Sequence, residues 1–186
     1  MNDSSARRLP RRAVFLDRDG VINFKLPENH YVSDVGKFNL IPSAIEALAV
    51  LRRLGYVLVL ITNQRGIARG FMTGEDLAAV HEHMQMVLQT GGADLDAIYH
   101  CPHEVFEDCD CRKPRPGMIL AAVRDLNLNP SESYTVGDSD SDVAAGKSAG
   151  TKTVRIATGT DNEADLTFPD LLHFALFLEE REKEPN

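Results

Sequence analysis

The chain has 186 residues, 43% apolar and 26% charged, which fits one globular domain with a full core and excludes whole-chain disorder. Acidic residues outnumber basic ones, 28 against 20, for a net charge of −8; this balance argues against a general nucleic-acid binder and leaves room for a local basic pocket for a small anion. No apolar run approaches the roughly 18 residues of a membrane helix, and the basic start MNDSSARRLPRR lacks a signal-peptide core, so a cytoplasmic protein with no membrane partner is expected.

In chain order, residues 1–12 read as a polar, basic arm. Ala13–Leu16 is a short apolar strand that runs straight into Asp17. A helix follows Pro42, with Ile45, Leu48, Ala49, Leu51 and Leu54 as its apolar positions and Gly55 as its stop. Tyr56–Ile61 is a continuous apolar and β-branched run, as for a strand buried on both faces, and it ends in Thr62-Asn63. Thr73 and Asp76 cap a helix whose buried positions are Leu77, Val80, Met84, Val87 and Leu88. On that helix His81 and His83 stand two positions apart, do not share a face, and read as solvated.

Asp96–His100 is a third strand, entering a loop that holds all three cysteines. Pro116 opens a helix through Ile119, Leu120, Val123 and Leu126. Tyr134–Val136 is a fourth strand ending at Gly137-Asp138, followed by a small helix near Asp142–Ala149 and the strand Thr153–Ile156. From Pro169 an apolar helix dissolves into the charged tail at 181–186, leaving a single domain over 13–180. Alternating strands and helices predict a Rossmann-like, three-layer α/β fold with a mainly parallel sheet. Ligands in such sheets bind beyond the carboxyl ends of the strands, where Asp17, Thr62 and Asp138 fall.

Asp17-Arg18-Asp19-Gly20 puts two carboxylates two residues apart. Alone it is equally a turn; a calcium loop is disfavoured, because Val21 and Phe24 supply no oxygen ligands. Gly137-Asp138-Ser139-Asp140-Ser141-Asp142 repeats the strand-then-acid pattern. Carboxylates converging on one spot need a cation. Lys113 can add positive charge and Thr62 a neutral donor.

This set resembles the haloacid dehalogenase superfamily of phosphohydrolases, with its four motifs in order: Asp17–Gly20, Thr62-Asn63, Lys113, and Gly137–Asp142. The resemblance spans about residues 13–156 and implies that superfamily's fold. It also implies Asp17 as a nucleophile that forms an aspartyl-phosphate, and Asp19 as the acid and then the base. Thr62 and Lys113 would hold the transferring oxygens. Mg²⁺ would be held by the carboxylates of Asp17 and Asp138 and the main-chain carbonyl of Asp19, with Asp142 in support. These residue types suit an in-line transfer whose spreading negative charge must be met by cations and donors.

Cys101, His103, Cys109 and Cys111 offer three thiols and an imidazole, a set suited to tetrahedral structural Zn²⁺. An odd cysteine count cannot pair completely into disulfides. The segments YHCPHEVFEDCDCRKPRPGM and ITNQRGIARG resemble the D-glycero-D-manno-heptose 1,7-bisphosphate 7-phosphatase family. Histidinol-phosphate phosphatase, which shares the zinc loop, is the alternative; a zinc-stabilised binding module that has lost catalysis is opposed by the retained motif residues. The heptose resemblance implies a small phosphorylated sugar as substrate, contacted by Asn63, Gln64, Arg65, Arg112, His30 and Tyr31. Arg112 would bind the retained phosphate through its guanidinium fork. Two positions depart from that family: Arg65 replaces a common serine, and Ser139 a common lysine. No insertion is large enough for a cap domain, and a monomer with no nucleic-acid partner is expected.

Overall fold

The computed structural model describes residues 9–159 and 163–183. Its frame is a six-stranded, all-parallel sheet of β1 (Ala13–Leu16), β2 (Val57–Asn63), β3 (Ala97–Cys101), β4 (Tyr134–Gly137), β5 (Lys152–Ile156) and β6 (Leu166–Phe168), in the order β3-β2-β1-β4-β5-β6. The chain winds outward from β1 to β3, then returns to the other side for β4 to β6. The order therefore reverses between β1 and β4, the position where an open parallel sheet leaves a crevice at its carboxyl edge. The Asp17 N–H donates to the Val136 carbonyl at 2.9 Å and extends the β1–β4 pairing to the first residue of that crevice.

Alternation along the strands divides the core into two layers. Val14, Leu16, Leu58 and Leu60 face α1 (Ala44–Arg53), α2 (Gly74–Gln89) and α5 (Leu171–Lys183). Ala13, Phe15, Val57, Val59 and Ile61 face α3 (Gly117–Leu126) and α4 (Asp140–Ala149). Because both faces are covered, β1 and β2 carry no polar alternation, and this is why YVLVLI reads as one apolar run. The expected α/β architecture is present, with the heads of the helices and the ends of the strands meeting on one edge.

Two local expectations change, and one strand was not expected. His81 is buried at 7% exposure rather than solvated, because α2 lies against the loop that follows β1. Leu120, expected inside, is 46% exposed; Met118, Ile119 and Ala122 carry the buried stripe of α3 instead. The three-residue edge strand β6 is too short to leave a periodic signal, and its position is fixed by Asp165, whose carboxylate accepts from the Thr153 N–H at 2.7 Å and the Thr153 hydroxyl at 2.8 Å.

At the ends, Arg11 is joined to the body by hydrogen bonds with Asn127 and Asn129, and the Arg12 guanidinium sits 4.3 Å over the Tyr56 ring. Residues 1–8 of the expected arm lie outside the described residues, as do 184–186 of the tail, whose first part continues α5 to Lys183. Residues 17–43, between β1 and α1, form a loop with one turn of 3-10 helix at Val35–Lys37.

Phe174 on α5 is fully buried, its ring 5.3 Å from Tyr134 and 5.7 Å from Phe168. Phe174→Ala is expected to cost about 3–5 kcal/mol, seen as a fall of roughly 10 °C in melting temperature; a change under about 2 °C would show that α5 is not part of the cooperative core.

Candidate active site

Four elements deliver the site. Asp17 leaves the end of β1, Thr62 and Asn63 the end of β2, Asp138 the end of β4, and Asp142 the first turn of α4. Carboxylate oxygens of Asp17, Asp138 and Asp142 all lie within 4.8 Å of one another. Such close packing needs Gly20, whose φ is +93° and where an added Cβ would meet Asp138 Oδ2 at 2.5 Å.

Lys113 enters from the other side of the cluster. Its side chain, 3% exposed, is ion-paired with Asp17 Oδ1 at 2.9 Å and with Asp142 Oδ1 at 2.5 Å, and donates a hydrogen bond to the Ile61 carbonyl at 2.8 Å. Asn63 fixes its backbone: the Asn63 amide donates to the Lys113 carbonyl at 3.0 Å and accepts from the Lys113 N–H at 3.1 Å. Burial outweighs the Lys113 ammonium and, with the Asp142 and Asp19 carboxylates, pushes Asp17 up to about 7. A divalent cation in the cluster favours its ionised form. Asp138 Oδ1 is buried with no hydrogen-bond partner, an oxygen that a hard cation would satisfy, so the donor set fits Mg²⁺.

The Asp19 side chain turns away from this cluster. Against the effect of burial, the Arg18 guanidinium and hydrogen bonds from Asn23 at 2.9 Å and Gln64 at 3.1 Å hold its carboxyl below the usual range. Arg18, 1% exposed, donates through Nη2 to both Asp19 oxygens at 3.0 and 3.1 Å, and through Nη1 to His81 Nε2 at 3.3 Å. An arginine cannot accept, so the His81 proton sits on Nδ1. Burial and the neighbouring Arg18 push His81 down to about 3. The one local signal of this buried Arg18–His81 contact is a histidine at an apolar position of α2, in line with Leu77 and Met84.

The six expected substrate residues all line one open space, Asn63 and Gln64 beside Arg65, Arg112, His30 and Tyr31. Asn63 and Gln64 also use their amides inside the protein, on Lys113 and on Asp19 and Thr62. Two adjoining cavities, of about 200 and 360 Å³, share a wall that includes Lys25, Arg65 and Arg112; the larger holds Asp17 and Asp138, the smaller His30 and Tyr31. Tyr31 is stacked on Phe71 at 5.3 Å, and its hydroxyl accepts from Arg69 at 3.3 Å. Arg69 also donates to Asn29 and pairs with Glu104, tying the loop after β1 to the cysteine loop. Lys25 and Arg69 escaped sequence reading, since each is a single basic residue in a loop with no spacing rule to mark it.

In the cysteine loop, Cys101 Sγ lies 3.8 Å from Cys109 Sγ and 3.5 Å from His103 Nδ1, which is 3.3 Å from Cys111 Sγ. These separations exceed a disulfide's and match the edges, about 3.8 Å between sulfurs, of a tetrahedron with 2.3 Å metal–sulfur bonds. Burial, with the other two sulfurs, pushes the Cys111 thiol up to about 12, a cost that a zinc ion would reverse. The loop ends one residue before Arg112, whose guanidinium donates back to the His103 carbonyl at 3.1 Å.

Comparison with known proteins adds names to this geometry. A family model described as HAD-hydrolase-like matches residues 110–175. The D-glycero-beta-D-manno-heptose-1,7-bisphosphate 7-phosphatase of Pasteurella multocida is 46% identical over 156 residues, covering 80% of this chain and 83% of its own. The protein of the same name from Escherichia coli O6:H1 is 39% identical over 186 residues, covering 92% and 96%. A crystal structure of the D,D-heptose 1,7-bisphosphate phosphatase from B. bronchiseptica, complexed with magnesium and phosphate, superposes with a TM-score of 0.84 at 30% identity, covering 91% of this chain and 99% of that one.

The pH dependence of His81 can be read in unfolding. Its folded pKa lies below the unfolded value of 6.5, so the unfolded chain binds the proton first as pH falls. The contribution of His81 to stability is therefore complete above about pH 6.5 and is lost progressively toward pH 3. Between pH 7 and 4.5 the parent is expected to lose about 1–3 kcal/mol more than His81→Gln in urea titrations; parallel losses would show that His81 is charged in the fold.

Proposed function

Because the chain belongs to the D-glycero-D-manno-heptose 1,7-bisphosphate 7-phosphatase family of haloacid dehalogenase-like hydrolases, we propose that it hydrolyses the 7-phosphate of this sugar bisphosphate, with the β anomer of its relatives' names preferred. The observation that carries the reading is the junction of the two cavities. A carboxylate suited to attack phosphorus lies at the base of one, and a cationic wall suited to a second phosphate is shared with the other. Histidinol phosphate has no second phosphate to use that wall.

Asp17 is the proposed nucleophile. It attacks phosphorus in line, the bond to the C7 oxygen breaks, and an aspartyl-phosphate forms. Asp19 is the proposed proton carrier. The phosphoryl charge entering beside it favours its neutral form, so it delivers a proton to the leaving oxygen; it then takes one from the water that cleaves the aspartyl-phosphate. Arg18, Asn23 and Gln64 keep it oriented through both steps. Thr62 and Lys113 hold the phosphoryl oxygens. Asp17, Asp138 and the main chain of Asp19, with Asp142 in support, would hold Mg²⁺, whose charge would offset the crowded negative charge. Arg112 and Arg65 bind the retained phosphate, and His30 and Tyr31 the sugar. Cys101, His103, Cys109 and Cys111 would hold Zn²⁺, which would fix the loop that carries Arg112 and Lys113. The chain acts as a monomer in the cytoplasm.

Phosphate release from both heptose bisphosphate anomers, histidinol phosphate and simple sugar monophosphates tests the substrate. The β bisphosphate is expected to give the highest kcat/KM, and Asp17→Asn to lose at least about 10³-fold. A higher kcat/KM on histidinol phosphate would transfer the assignment to the alternative.

Metal analysis of protein purified without added zinc is expected to find one equivalent. Cys109→Ser should lower both the zinc content and the melting temperature, since metal binding and folding are linked. Zinc-free protein of unchanged stability would remove the structural role.

A further inference from the structure

Lys25 is a cation of the site that neither the motifs nor the mechanism above uses. It stands in the loop after β1, yet its Nζ lies 2.6 Å from Asp138 Oδ2 at the end of β4. The other lysine of the cluster, Lys113, is buried and paired with Asp17 and Asp142 rather than with Asp138. The end of β4 itself carries no cation: Ser139 follows Asp138, and its hydroxyl lies 2.5 Å from Asp142 Oδ2 and 2.8 Å from the Ser141 hydroxyl. Arg65 and Arg112 stand in the shared wall, but the ion pair to the carboxylate cluster from that wall is Lys25's.

The two ends of this ion pair differ in freedom. The Asp138 side chain is 17% exposed and fixed at the end of a central strand, whereas the Lys25 side chain is 55% exposed on a flexible four-carbon stem. Lys25 holds Asp138 Oδ2 and leaves Oδ1 without a partner; a divalent cation taken up at Oδ1 repels an ammonium on the other oxygen of the same carboxylate, so a metal at Asp138 displaces Lys25. The displaced ammonium remains in the wall common to both cavities. A phosphate entering there meets an unpaired cation already desolvated on one side.

We propose that Lys25 is an exchanging cation: it holds the Asp138 carboxylate until Mg²⁺ takes its place, and then it binds an oxygen of the phosphate group. This inference rests on the metal reading given above and adds to it a residue that couples metal loading to anion binding. Lys25 transfers no proton and forms no covalent bond; it is a binding residue for the phosphate.

The test uses Lys25→Met and Lys25→Arg in calorimetric titrations of the whole, zinc-containing protein, with Mg²⁺ alone and with inorganic phosphate in saturating Mg²⁺. Lys25→Met removes the competitor, so Mg²⁺ should bind about three- to tenfold more tightly. The same variant should bind phosphate about tenfold more weakly. Lys25→Arg, which keeps the charge, should stay within about threefold of the parent in both titrations. An unchanged or weakened Mg²⁺ affinity in Lys25→Met, or an unchanged phosphate affinity, overturns the exchange. Asp138→Asn serves the metal reading separately: if the parent and this variant bind Mg²⁺ equally, the metal site itself is wrong, whatever Lys25 does.

Discussion

One buried ammonium ties the carboxyl edge of this sheet together. Burying an unpaired charge costs several kcal/mol, and Lys113 is 4% exposed. The cost is offset only because Asp17, Asp142 and the Ile61 carbonyl surround the Nζ, one group from each of three different elements. Against the effect of burial, those two carboxylates hold Lys113 above the ordinary lysine range. The dependence is mutual. Without the ammonium, Asp17 and Asp142 would face each other with no ion pair between them, and the crevice between β1 and β4 would be strained by their repulsion.

The position of that ammonium is set from outside the sheet. The cysteine loop ends at Cys111, two residues before Lys113, and Asn63 grips the Lys113 main chain through both of its amide groups. Arg112 is bonded back to the same loop. A small cluster of sulfurs and one imidazole therefore determines where two cations stand relative to the proposed nucleophile. Further out, Arg69 links the loop after β1 to Glu104 in the cysteine loop, and Gly66 permits the approach of Tyr31, whose ring an added Cβ would meet at 2.9 Å. Three loops from distant parts of the chain thus form one wall.

The site also separates its two aspartates by environment. Asp17 lies among acids and is raised toward neutrality, while Asp19, two residues on, is turned into a shell of donors built from Arg18, Asn23 and Gln64. The proposed roles need the reverse order, an ionised nucleophile and a protonated acid, which a divalent cation beside Asp17 and phosphoryl charge beside Asp19 would bring about. Arg18 in turn needs His81 to stay neutral, because a charged imidazole 3.3 Å from the guanidinium would drive both apart.

The amino-acid sequence determined the α/β alternation, the strand ends and the residue types gathered there. It could do so because strand burial, helix caps and motif spacing are local properties written over a few consecutive positions, as in YVLVLI, Thr73-x-x-Asp76 and the acids after β1 and β4. The tertiary structure alone decided which side chains those residues meet. The inward position of His81, the inward use of Asn63 and Gln64, the arrival of Lys25 at Asp138 from 113 positions away, and the edge strand β6 all depend on contacts between segments distant in the chain. Such contacts follow from the packing of whole elements, whose geometry no short window of sequence encodes.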